Sequence, residues 1–139
     1  MSVTQNEKAV RFRALHDGPG AFMIPNPWDV GSALILAGLG FQALATTSAA
    51  SASALGRRDG DLTRDEALGH ARLIVNATDL PVSADLEKGF GDAPEIVAET
   101  IRLAAAVGLV GCTIEDATRE QDRPLYDFGL AVERIAAAA

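Results

Sequence analysis

Four short apolar runs, each followed by a stretch of helical periodicity, constrain this 139-residue chain more than any other feature. "AFMIP" (21–25), "FQALATT" (41–47), "LPVSAD" (80–85) and "LVGCTIED" (109–116) are too short for helices and are bounded by Gly, Pro or Asp, so they read as buried strands. Between and around them, residues 6–16, "WDVGSALILAGLG" (28–40), "LTRDEALGHARLIVNAT" (62–78), "APEIVAETIRLAAAVG" (93–108) and "LYDFGLAVERIAAAA" (125–139) read as helices. Thr63 with Glu66 three residues on forms a capping-box pattern, and Pro94 suits a first helical turn. Strands alternating with helices imply an α/β fold with a parallel sheet and right-handed crossovers.

The last helix runs to Ala136-Ala137-Ala138-Ala139 with no capping glycine and no strand after it. Four βα units are half of an eight-stranded barrel, and such barrels run to about 250 residues. The expectation is therefore one domain, residues 1–139, forming the N-terminal half of a (β/α)8 TIM barrel cut in mid-fold and catalytically inactive or nearly so by itself. A complete small open sheet is the alternative.

Composition narrows the function. With 12 Lys and Arg against 19 Asp and Glu, the net charge is −7, which argues against a nucleic-acid surface and against attraction to anionic lipid. No apolar run approaches the roughly 18 residues of a spanning helix, and the first residues lack a signal-peptide apolar block, so a cytoplasmic protein is expected. The single cysteine, Cys112, excludes an intrachain disulfide and a cysteine-rich metal site; inside its strand it reads as a small core residue.

The acids are placed unusually. Asp85 and Glu87 stand at the carboxyl end of the third predicted strand, Glu115 and Asp116 at that of the fourth, and Asp59 and Asp61 in the loop after the second. In parallel α/β folds that rim is the functional face. Like charges brought together repel, and a bound cation is one resolution; solvated loop acids are the other. All candidate ligands are oxygens, which suits Mg²⁺ (or Mn²⁺) rather than zinc, since His16 and His70 lack ligand spacing. The small, hydroxylated "TTSAASASALG" (46–56) reads as a loop that could cradle a carboxylate, with Thr47 and Ser48 as donors. Asn26, at the end of the first predicted strand, is a candidate pocket residue. Trp28 reads as packing first, Arg57 and Arg58 as a surface ion cluster with Asp59 and Asp61, and Lys88 either as a substrate contact or as an offset to local charge.

"PNPWDVGSA", "GFQALATTSAA", "LGRRDGD", "PVSADLEKGFGD" and "GLVGCTIEDAT" occur in the order and spacing of the isocitrate lyase/phosphoenolpyruvate mutase superfamily, which the chain resembles from about residue 10 onward. The resemblance implies a Mg²⁺-dependent barrel, homo-oligomeric in its full-length form, that makes or breaks a C–C or P–C bond beside a small-molecule 2-oxo acid through a metal-stabilised enolate. It places the direct metal ligand on Asp85, a water-mediated one on Glu87, and the remaining acids, also the catalytic candidates, on Glu115 and Asp59. The substrate carboxylate falls to Thr47, Ser48 and Ala49. Isocitrate and methylisocitrate lyases carry a Lys-Cys-Gly-His segment after the last of these acids. Here the stretch reads "DATREQDRPLYD", so a standard isocitrate lyase is disfavoured. Two other readings stand beside this one: a catalytically inactive half-barrel serving as an interaction module, and a flavodoxin-like phosphoacceptor domain.

Overall fold

A computed structural model describes residues 3–139. Helix α1 (Gln5–Asp17) is followed by α2 (Val30–Gly38), β1 (Leu44–Ala45), α3 (Ser48–Ala54), α4 (Arg64–Ala77), β2 (Val82–Asp85) and α5 (Pro94–Ala106). The chain continues through β3 (Gly111–Thr113), β4 (Ala117–Glu120), β5 (Arg123–Leu125) and α6 (Phe128–Ala138). Strands β1, β2 and β3 pair in that order and in parallel, with Leu44 opposite Val82 and Asp85 opposite Thr113. The α/β reading holds.

Local chemistry sets the helix starts. Thr4 and Thr63 each accept from the backbone N–H three residues on, while Glu7 and Glu66 reach back to the cap residue, so both helices carry full capping boxes. Asp29 and Ser32 do the same for α2. Pro94 occupies the first turn of α5, where its missing N–H costs nothing.

The core lies between the sheet and α4 and α5. Leu44, Val82, Ala84 and Leu86 from the strand segments meet Leu68, Ala71, Ile74 and Val75 of α4 and Ala104 of α5. The central strand β2 is buried at Val82, Ser83 and Ala84 in succession, with no alternation in burial, as expected of a strand covered on both faces. At Gly111 a Cβ would come within 2.6 Å of Phe12 Cε1, so the absence of a side chain lets α1 close onto β3.

Five sequence expectations change. Residues 21–25 are not a regular strand: the segment lies beside β1 through one bond, Ala45 N–H to the Pro25 carbonyl (3.1 Å). Pro25 and Pro27 have no N–H to continue a ladder, and Met23 is 76% exposed. Three parallel strands are thus formed among the described residues, not four. Residues 48–54, read as loop, form α3, because a Ser/Ala run has helix propensity without an apolar stripe to reveal it. The stretch "ATRE–DRPL" forms the antiparallel β4–β5 hairpin, which has no alternating pattern. Cys112 is exposed on β3, the end strand of the sheet, and is not a core residue; Trp28 is 56% exposed and contributes its carbonyl instead of its ring.

Candidate active site

The acidic rim is assembled by the parallel ladder. Beyond its last paired residues the register continues: Leu86 N–H donates to the Thr113 carbonyl (3.2 Å) and Glu115 N–H to the Glu87 carbonyl (2.8 Å). Glu87 and Glu115 are therefore held side by side by backbone, on adjoining strand ends. Asp85 is oriented by two amides. Its Oδ1 accepts from Glu87 N–H and its Oδ2 from Ser48 N–H, both at 2.9 Å. To make the first of these bonds the chain turns sharply, and Glu87 takes φ 52°.

Glu87 is the buried member of the group, 6% exposed, while Asp59 and Glu115 are exposed. Burial pushes its carboxyl above the ordinary value. The Arg119 guanidinium opposes that shift, and the charges of Asp59, Asp85 and Glu115 add to it. The other three acids named from the sequence thus lie close enough for their charges to act on Glu87. The counter-charge is Arg119: Nη2 lies 3.2 Å from Glu87 Oε2 and 4.0 Å from Asp59 Oδ1. Among the described residues, no three carboxylates or other metal-ligating side chains close around a single point. The donor set is all oxygen and suits a hard divalent cation that keeps several waters.

The expected substrate-side residues are also placed. Thr47 caps α3 without a side-chain bond, and Ser48 spends its N–H on Asp85. Ala49 is exposed on the same turn. Asn26 Nδ2 donates to the Ala45 carbonyl (2.9 Å), supplying a link that the proline-bounded segment cannot make from its own backbone. Arg57 pairs with Glu66 (2.7 Å) rather than with Asp59 or Asp61. Lys88 pairs with Asp92 (2.8 Å) and donates to the Thr118 carbonyl (3.2 Å), so it offsets local charge.

Three supports lay outside the sequence reading. His70, on α4, is buried; its Nε2–H donates to the Trp28 carbonyl (2.8 Å), which leaves Nδ1 to pair with the Ser51 hydroxyl (3.0 Å). It ties the start of α2 to α3, the helix that holds Asp85. Arg134, on α6, is 1% exposed and donates to the carbonyls of Lys88, Gly91 (2.7 Å) and Asp92 (2.5 Å) while stacking on Tyr126 at 4.1 Å. The Tyr126 hydroxyl in turn donates to Asp92 Oδ1 (2.5 Å). These bonds shape the loop after the acids. Arg119 is the third; only its charge, four residues beyond Glu115, signalled it.

Acids stand at the carboxyl rim of the parallel sheet, bridged by an arginine and braced by a buried histidine and arginine, on the face where parallel α/β folds carry their functional groups. The sequence profile of the phosphoenolpyruvate phosphomutase family matches residues 12–139, and the chain belongs to that family, within the isocitrate lyase/phosphoenolpyruvate mutase superfamily. A crystal structure from Burkholderia cenocepacia J2315, provisionally named a lyase/mutase, is 60% identical with a TM-score of 0.93; the match covers 96% of this chain and 48% of that one. An uncharacterized protein of Mycobacterium tuberculosis is 35% identical over 130 residues, 91% of this chain and 46% of that protein. The 2-methylisocitrate lyase of Bacillus subtilis is 37% identical over 89 residues, 63% of this chain and 30% of the enzyme. The chain spans about half the length of such relatives, whose named members are lyases and mutases. The phosphoacceptor alternative falls with the family assignment.

Proposed function

We propose that this chain carries the metal-binding part of a Mg²⁺-dependent lyase or mutase that makes or breaks a C–C or P–C bond beside a 2-oxo acid. The observation that supports it is the gathering of Asp85, Glu87, Glu115 and Asp59 at one rim, with Asp85 aimed by two backbone amides. Asp85 would hold the ion directly, and Glu87, Glu115 and Asp59 would hold it directly or through water. A divalent cation there supplies Lewis acidity to negative charge developing on the 2-oxo oxygen as the neighbouring bond breaks. The first turn of α3 would position the substrate carboxylate through Thr47 and Ala49, since Ser48 N–H is committed to Asp85. Asn26 would border the pocket from the segment beside β1.

The test is turnover in Mg²⁺ by a full-length protein that carries this chain. Oxaloacetate-like and phosphonopyruvate-like 2-oxo acids are the expected substrate classes. Isocitrate and methylisocitrate are expected to be poor, because no cysteine stands in 116–127. Efficient isocitrate cleavage would overturn the substrate assignment. Absence of both metal binding and turnover would favour the inactive interaction module.

A further inference from the structure

Arg119 holds an unusual position for a residue in an exposed hairpin. Its guanidinium reaches back over the acidic rim to Glu87 and Asp59 and lies against Gly60, where an added Cβ would sit 1.5 Å from Nη1. Gly60, between Asp59 and Asp61, thereby leaves a berth for it. Arg119 also adopts a left-handed backbone, φ 68°, at the point where the β4–β5 register is irregular. A non-glycine residue is held in that region only at an energetic cost. The contact that offsets the cost is with Glu87, whose buried carboxylate requires a counter-charge.

We propose that Arg119 is the resident counter-cation of the acidic rim, and that a divalent ion and the guanidinium occupy Glu87 in turn, so that metal loading releases the Ala117–Leu125 hairpin. The inference rests on the metal reading given above and deepens it. A dication on Asp85 and Glu87 places two positive groups against one buried carboxylate, and their repulsion disfavours joint occupancy. The coupling is reciprocal: whatever the seated guanidinium costs the ion in affinity, the bound ion costs the guanidinium in residence. The hairpin can yield, because Glu120 to Leu125 are exposed and its remaining ties to the rim are few: Lys88 Nζ to the Thr118 carbonyl, and Tyr126 N–H to the Asp116 carbonyl. Arg119 is on this view a positioning residue. It keeps Glu87 and Asp59 facing each other until the ion arrives.

Mn²⁺ serves as the probe. Its binding to wild type, Arg119→Gln, Arg119→Lys and Asp85→Asn is titrated by the loss of the free-ion paramagnetic resonance signal, with folding checked by circular dichroism. Hydrogen–deuterium exchange follows residues 117–125 with and without the ion. Arg119→Gln is expected to bind Mn²⁺ about tenfold more tightly than wild type, with Arg119→Lys in between. Mn²⁺ is expected to speed exchange of the wild-type hairpin and to leave the already fast Arg119→Gln hairpin unchanged. A purely structural arginine predicts the opposite sign, weaker binding on its removal. Wild-type binding that Asp85→Asn abolishes, together with unchanged or weaker binding by Arg119→Gln and Arg119→Lys, overturns this proposal and leaves the metal reading standing. Absence of Mn²⁺ binding in every folded variant overturns both.

Discussion

Asp85 Oδ2 accepts the Ser48 amide at 2.9 Å, so the carboxyl end of β2 is fastened to the first turn of α3 by the side chain proposed as the direct metal ligand. One carboxylate thus has a structural and a chemical duty. Asp85→Ala leaves the Ser48 and Glu87 amides without their acceptor. The expected loss is about 1–2 kcal/mol in metal-free urea unfolding, and in a full-length protein carrying this chain Mg²⁺-dependent turnover should be abolished. An alanine variant that unfolds at the wild-type midpoint and still turns over would refute both assignments.

His70 braces the other side of α3. His70→Phe fills the same space but leaves the Trp28 carbonyl without its donor, while the Ser51 hydroxyl keeps only the Thr47 carbonyl (2.9 Å). A loss of roughly 2 kcal/mol is expected, and amide exchange over residues 47–54 should rise more than over α5. Equal acceleration in both helices would mean that His70 supports the fold generally and not α3 in particular.

The helix caps set part of the acid sensitivity. Glu66 is held below the ordinary carboxylate range, first by the Thr63 backbone N–H and then by the Thr63 hydroxyl. A carboxyl lowered in the folded state contributes stability above its unfolded value, roughly pH 4.3, and that contribution is lost as pH falls through the lowered folded value. Glu66→Gln keeps an acceptor at the cap but cannot titrate. Its stability should fall less steeply than wild type below about pH 4; parallel curves in thermal melts across pH 2–6 would count against the cap. Thr63→Ala should cost about 1 kcal/mol at neutral pH.

How far the sequence carried the reading depended on where each interaction finds its partner. Thr63 and Glu66 are three residues apart, and the pattern that fixes them is local, so the cap was legible. Asp85, Glu87 and Glu115 were legible as a group because strand ends share a rim in any parallel sheet. Residues 21–25 differ from the reading because the apolar run outweighed Pro25 and Pro27, whose missing donors are visible in the letters. Ser48–Ala54 was misjudged because serine and alanine carry no stripe. Arg134 was illegible for a different reason: its partners are backbone carbonyls, which every residue has, so nothing in the letters at 88, 91 and 92 announces an arginine at 134.

Arg134 itself offers a strong test. Arg134→Met retains an apolar stem against Tyr126 but strands three carbonyls, and a loss of roughly 3 kcal/mol is expected. Denaturant unfolding would read it, and a change under 1 kcal/mol would show that water replaces the guanidinium without penalty.

The same arginine has a consequence for the order in which the protein is made. The loop from Lys88 to Asp92 leaves the ribosome more than forty residues before Arg134 does. Until α6 emerges and docks on α5, that loop is held by the Lys88–Asp92 pair and by Thr100 Oγ1 on the Gly89 carbonyl, without the guanidinium that gathers its other carbonyls. The sheet and the capped helices can form while translation is under way, from contacts already present in the nascent chain. The loop beside the rim thus takes its arginine brace from a residue synthesised well after Asp85 and Glu87.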